Sequence, residues 1–147
     1  MSTDAYRFPS DRDVDRIPAL ARPQLHFNLA DELERLRTEP SWQRGTGRSS
    51  KTLVKYPDFH IVLVLMKANT RMSRHHVDGR ISIHAVHGNL RLHLPEEVVE
   101  VSSGQLFALD YAIPHEVEAV RESAFLLTIS WPGGTKDERH AWKDSVA

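Results

Sequence analysis

Nine histidines occur in 147 residues, and seven of them fall between His60 and His115. Imidazole is the side chain whose ordinary pKa lies closest to physiological pH, and its neutral form is a common metal ligand. Such enrichment therefore suits a metal site or acid–base work. Two stretches concentrate the signal. The first, RMSRHHVDGRISIHAVHG from Arg71 to Gly88, sets a histidine pair ahead of an Asp-Gly turn and an alternating run; the second, from Gly104 to Ala119, holds His115.

Strand parity decides which of these rings can converge, because residues two apart share a face. His75 shares a face with Val77, and beyond the Asp78-Gly79 turn Ile81, Ile83 and Ala85 form the apolar face of the next strand. His115 shares a face with Val117 and Ala119. If these faces line one interior, they make an apolar pocket carrying two imidazoles, His75 and His115, with Val77, Ile81, Ile83 and Val117 as its walls. His76 and His84 point the other way unless a bulge re-aims them. His87 has interior parity at the strand end.

Two neutral imidazoles rarely hold a divalent ion, since stable protein sites supply three or four ligands. The candidates for a third ligand are His76 through a bulge and His87 from the strand end, with His60 and His84 disfavoured by parity. Against a metal site stands a metal-free pocket with hydrogen-bonded histidines. His26, His84 and His93 read as partly exposed residues, and His140 lies in a polar tail. Glu96, Glu97, Glu100, Glu116 and Glu118 read as carboxylates on solvated faces. Tyr111 reads as a rim residue, while Phe125, Leu127, Ile129 and Trp131 fill a core.

The elements that must position these residues follow from periodicity. From Thr52 to Trp131 short apolar runs recur at even intervals, which predicts strands over 52–56, 60–67, 71–77, 80–86, 90–94, 98–101, 105–109, 115–121 and 124–131. Asp78-Gly79, Gly88-Asn89, Pro95-Glu96, Ser103-Gly104 and Glu122-Ser123 supply the turns. Many short antiparallel strands must close or stack to hide their edges, so a sandwich or barrel is expected. Upstream, Asn28 as N-cap followed by Leu29, Leu33 and Leu36 predicts one short amphipathic helix that Glu39-Pro40 stops. Trp42 to Lys51 reads as a surface loop. Residues 1–27 form an N-terminal arm, 28–51 the helix and loop, 52–132 the barrel, and 133–147 a polar C-terminal tail.

Composition narrows the classes further. Nineteen basic and twenty acidic residues leave a net charge of −1, so no basic field recommends nucleic acid as a partner. The absence of cysteine excludes disulfides, thiolate metal sites and a cysteine nucleophile. Residues 1–30 contain Pro, Asp and Arg where a secretory segment needs an apolar run, and no stretch reaches membrane-spanning length. The expectation is a soluble, cytoplasmic single domain with no membrane partner.

The Arg71–Gly88 stretch resembles the first motif of the cupin superfamily, in which two histidines one residue apart precede a glutamate and then a glycine. Anchored on Gly88, the glutamate position falls at Ile81, the second histidine at Val77 and the first at His75, with Asn69 in the place of the leading glycine. The second motif lines up as Gly104, Asp110, Ala112, His115 and Ala119. The resemblance covers about Thr52 to Trp131. It implies an all-β double-stranded β-helix, a jelly-roll cupin barrel with a short N-terminal helix, often a homodimer. It also implies a metal set of three histidines and a glutamate holding iron (Fe), manganese (Mn), nickel (Ni) or zinc (Zn), of which only His75 and His115 remain. The leading expectation is a small-molecule-binding cupin with a reduced two-histidine site. The alternatives are a divalent-metal-dependent enzyme of dioxygenase or isomerase type using His75, His115 and a further histidine, and metal-free acid–base isomerisation or epimerisation by His75 or His115.

Overall fold

Every strand that the turn spacing predicts is present in the computed structural model, which describes residues 19–45, 47–75 and 77–132, with the backbone alone for Arg74 and His75. The expected arm up to residue 18, His76 and the tail from residue 133 lie outside the described residues. The strands are β1 (Arg48–Tyr56), β2 (Phe59–Met66), β3 (Thr70–His75), β4 (Arg80–His87), β5 (Asn89–His93), β6 (Val98–Ser102), β7 (Leu106–Leu109), β8 (His115–Ala119) and β9 (Ser123–Ser130). They form a five-stranded sheet in the order β1-β2-β9-β4-β7 and a four-stranded sheet in the order β3-β8-β5-β6. All pairings are antiparallel, and the chain crosses repeatedly from one sheet to the other. That connectivity is a jelly roll.

The inner faces of both sheets share one core that includes Val62, Met72, Val77, Ile83, Leu92, Val117, Phe125 and Trp131. A second, smaller core lies outside the five-stranded sheet. There helix α1 (Leu29–Thr38) lays Leu33 and Leu36 over Leu63, Leu65 and Ala124, with Trp42 beside them. This double burial explains why β2 is apolar on both faces: Val62, Val64 and Met66 face the barrel, while Leu63 and Leu65 lie under the helix.

Helix α1 begins where the sequence predicts it, with the Asp31 amide donating to Asn28 Oδ1 at 3.2 Å. Glu39 ends it in an extended conformation, as a residue before proline prefers. The loop expected from Trp42 to Lys51 is a correction. Pro40 opens a one-turn helix, α2 (Pro40–Gln43), and β1 starts at Arg48, four residues before its expected start. The polar run Arg48-Ser49-Ser50 pairs with β2, and Ser49 is buried with its hydroxyl 2.8 Å from that of Ser41. The eighth strand ends at Ala119, two residues short of its expected end.

Candidate functional site

Two β-bulges set the register in which the candidate histidines stand. In β3, Met72 stands opposite Val117 but His75 stands opposite His115, so Ser73 and Arg74 together oppose the single residue Glu116. An extra residue reverses the alternation of everything after it. Met72 before the bulge and Val77 after it are both buried in the core, although they are five residues apart. The bulge thus makes His75 and His115 cross-strand neighbours. Counting back from buried Val77 without it would bury Arg71, which instead sits outside and pairs with Glu116 at 2.9 Å.

The second bulge works the other way. In β4, Ile83 and Ala85 face the core, and simple alternation would carry His87 inside with them. The register slips between Ala85 and His87, so His87 stands opposite Ala124 beneath the helix. His87 Nε2 lies 3.1 Å from Arg37 Nη2, and Glu122 lies beside them. The structure therefore does not bring His87 together with His115. His76, the other candidate third ligand, lies outside the described residues.

His115 is buried at the start of β8, and its Nδ1 lies 3.0 Å from the carbonyl oxygen of Ile113. A carbonyl can only accept, so Nδ1 donates, and the neutral ring then carries its lone pair on Nε2. The turn that delivers His115 contains Ala112 at φ 57°, the position of a glycine in the second motif. A side chain in that region costs about 1–2 kcal/mol, so the turn before His115 is held under strain. Asn69, in place of the first motif's leading glycine, likewise adopts φ 63°, which asparagine tolerates. Gly88 closes that motif at φ 90°, where an added Cβ would run into Ser123 Oγ and the Glu122 carbonyl.

The proposed walls Val77, Ile81, Ile83 and Val117 are all buried in the main core. Alternation hid one further interior histidine. His60 is fully buried, and its ring meets that of Trp131 edge-on, with centroids 4.5 Å apart at 76°. The ladder runs His60 to Ile129 to Ile81 to Leu109, so His60 shares a row with the residue in the motif's glutamate position. Parity had disfavoured it, and the structure corrects that expectation: its strand FHIVLVLM is apolar on both faces, so alternation does not mark the inner one. The indole N–H of Trp131 is buried and has no hydrogen-bond acceptor among the described residues. Leu109 and Ile113, at this end of the barrel, also line an open depression of about 440 Å³ with Leu94, Pro95, Glu96 and Glu97.

The carboxylates expected on solvated faces are on the outside. Glu118 accepts from His93 Nε2 at 2.8 Å, and that bond, with the charges of Arg71 and Arg91, holds its carboxyl below the ordinary range against a smaller opposing effect of burial. Asp110 is lowered by the Tyr111 amide and by Arg80. Tyr111 itself is exposed.

Valine and isoleucine stand at two of the four positions that the motif resemblance assigns to metal ligands, and no group of three His, Asp or Glu side chains gathers among the described residues, which leave out the side chain of His75 and all of His76. No helix among them is long and apolar enough to cross a membrane.

No protein-family model matches the sequence, and comparison with curated proteins gives no match. Solved structures do match. A conserved protein of unknown function from Streptococcus pyogenes superposes with a TM-score of 0.57 at 25% identity, over 60% of this chain and 77% of that one. KdgF from Halomonas sp. gives 0.54 at 21% identity, over 69% and 88%. A cupin superfamily protein from Desulfitobacterium hafniense gives 0.57 at 10% identity, over 59% and 80%.

Proposed function

Given that the chain is a cupin by fold, we propose that it binds a small organic molecule at the His115 end of the barrel, without a resident metal. The observation that carries this reading is His115 itself. It is a buried imidazole whose Nδ1 is engaged by a backbone carbonyl, which directs its acceptor nitrogen, Nε2, to the other edge of the ring. His75 stands beside it in the register, and the Trp131 N–H is a buried donor in the same apolar interior. A ligand suited to this interior has an apolar body packed against His115 and an acceptor oxygen for the indole N–H. Val77 and Ile81 favour this over metal chemistry, since hydrocarbon in two ligand positions makes the interior drier and removes donors.

The reading is tested by a thermal-shift screen of small hydroxylated carboxylic acids and phenols. A ligand that binds only the folded state raises the melting temperature as its concentration exceeds Kd. Hits are expected with the wild type and with His87→Ala, and their loss with His115→Ala. Hits that survive His115→Ala, or an empty screen, would count against the site. Near-stoichiometric iron, manganese, nickel or zinc in protein purified without an affinity tag would replace this reading with the metalloenzyme one.

A further inference from the structure

The two ends of the barrel differ in the sign of their charge. At the His115 end the strands are joined by the turns 57–58, 76–79, 94–97 and 110–114, because Tyr56 pairs with Phe59, Ile81 with Leu109, and His93 with both Glu116 and Val98. These turns hold Asp58, Asp78, Glu96, Glu97 and Asp110 and neither lysine nor arginine. The connections at the opposite end hold Arg44, Lys67, Arg121 and Glu122.

The carboxylates of the His115 end also differ in how they are paired. On the strands, Glu100, Glu116 and Glu118 each meet an arginine at 3.5 Å or less, and Asp110 meets Arg80 at 2.9 Å. Asp58, Asp78, Glu96 and Glu97 form no ion pair among the described residues. Two of these four, Glu96 and Glu97, are exposed and line the open depression of about 440 Å³. Its apolar lining includes Leu94, Leu109 and Ile113, all part of the main core or packed against it. The turn that carries the two glutamates is closed by the Leu94 amide donating to the Glu97 carbonyl at 2.8 Å, with Pro95 fixing the backbone between them. Ile113 in turn supplies the carbonyl that His115 Nδ1 meets. Unpaired charges of one sign, held at the lip of an apolar opening, concentrate their field in it and repel ions of the same sign. The net charge of −1 is too small to impose a preference from a distance, so the local field decides.

We propose that Glu96 and Glu97 select the ligand by charge. Resting on the binding proposed above for the His115 end, the selection favours an apolar molecule that ends in a protonated amine over a neutral one, and a neutral one over a carboxylate or phosphate. At about 7 Å in water each carboxylate changes the affinity for a unit charge by roughly two- to threefold, so the pair separates a cation from an anion of the same shape by about tenfold or more at low salt. Among the compounds of the thermal-shift screen, phenols should therefore outrank acids.

Tyramine, tyrosol and para-hydroxyphenylacetate test this, since they share a phenol, which offers the indole an acceptor oxygen, and differ in the charge of the other end. Each is titrated at low salt and neutral pH, followed by NMR through the backbone amides of Leu94, Glu96 and Glu97 and the Trp131 indole N–H, assigned with Trp131→Phe. Tyramine is expected to bind most tightly and para-hydroxyphenylacetate about tenfold or more weakly than tyramine. Glu96→Gln combined with Glu97→Gln should narrow that span to about threefold, and Glu122→Gln, at the opposite end, should not narrow it. Dispersed amide signals check that the double variant is folded; if it is not, Glu96→Gln alone decides the outcome. Probes that bind without ranking by charge, a span that the glutamine variants keep, or one that Glu122→Gln narrows equally would overturn the selection and leave the binding site standing. Probes that move none of these signals would remove the binding site, and the selection with it.

Discussion

The outer face of the four-stranded sheet and the outer face of the five-stranded sheet cover the same apolar interior, yet one meets water and the other meets a helix. Across the first runs a row of alternating charge, Arg71 opposite Glu118, Glu118 opposite Arg91, and Arg91 opposite Glu100. On the second, Leu63 and Leu65 are fully buried beneath Leu33 and Leu36 of α1. Residues of the first kind exchange hydration for ion pairs in high dielectric and gain little. Those of the second remove hydrocarbon from water and gain roughly 1.5–3 kcal/mol per large side chain. The stability of the barrel should therefore depend unequally on its two outer faces.

Truncation gives the largest expected effect. Leu36→Ala empties a fully buried position and should cost about 2–5 kcal/mol, whereas Arg91→Ala on the charged row should cost no more than about 1 kcal/mol. Urea midpoints at unchanged m-value measure both. Similar losses from the two substitutions would break the comparison, because they would mean that the helix only rests on the sheet.

The same pairing chemistry placed under the helix sharpens the contrast. Glu32 on α1 is buried, with its side chain 8% exposed, and it meets Lys51 of β1 at 2.6 Å and the mostly exposed Arg35 at 3.1 Å. Lys51→Met takes away the closer cation and leaves a largely desolvated carboxylate. It should cost about 1–3 kcal/mol, more than Arg71→Met, which strips exposed pairs from the other face. Equal costs for the two would show that Glu32 is better hydrated than its burial implies.

The parts of this molecule that were legible in the sequence are those set by local chemistry. Asp-Gly and Gly-Asn pairs, one asparagine cap and the alternation of apolar residues located nine strands and a helix with small errors at their ends. Asn69 and Gly88 marked turns because few other residues accept their backbone angles. What escaped was whatever depends on a neighbour in space. A bulge leaves no signature in β3 or β4 that composition reveals, and one bulge sets His75 opposite His115 while another takes His87 out of the interior. His60 was missed because a strand buried on both sides has no polar face to define its inward one. Arg48 to Ser50 looked like a loop because the helix that covers their strand lies elsewhere in the chain. The strands that carry His75 and His115 were therefore readable, and the register between them was not.

Acid should separate the faces by the smallest margin and the clearest sign. Glu118 is held below the ordinary glutamate range, first by its hydrogen bond from His93 and then by the charges of Arg71 and Arg91, with burial opposing them. A carboxylate whose pKa is depressed by folding contributes stability above its unfolded pKa. That contribution is lost as the pH falls through the folded value. The gap in stability between the wild type and Glu118→Gln should thus be greatest near neutrality, at no more than about 1 kcal/mol, and should close on acidification. Added salt should narrow it, since the arginines lie at the surface. Leu36→Ala involves no titrating group, so the shortfall it causes should persist across the same range. Urea midpoints for the three proteins at several pH values provide the test. A gap for Glu118→Gln that widens in acid would mean the carboxyl is protonated more easily when folded, and the charged row would then destabilise the sheet it covers.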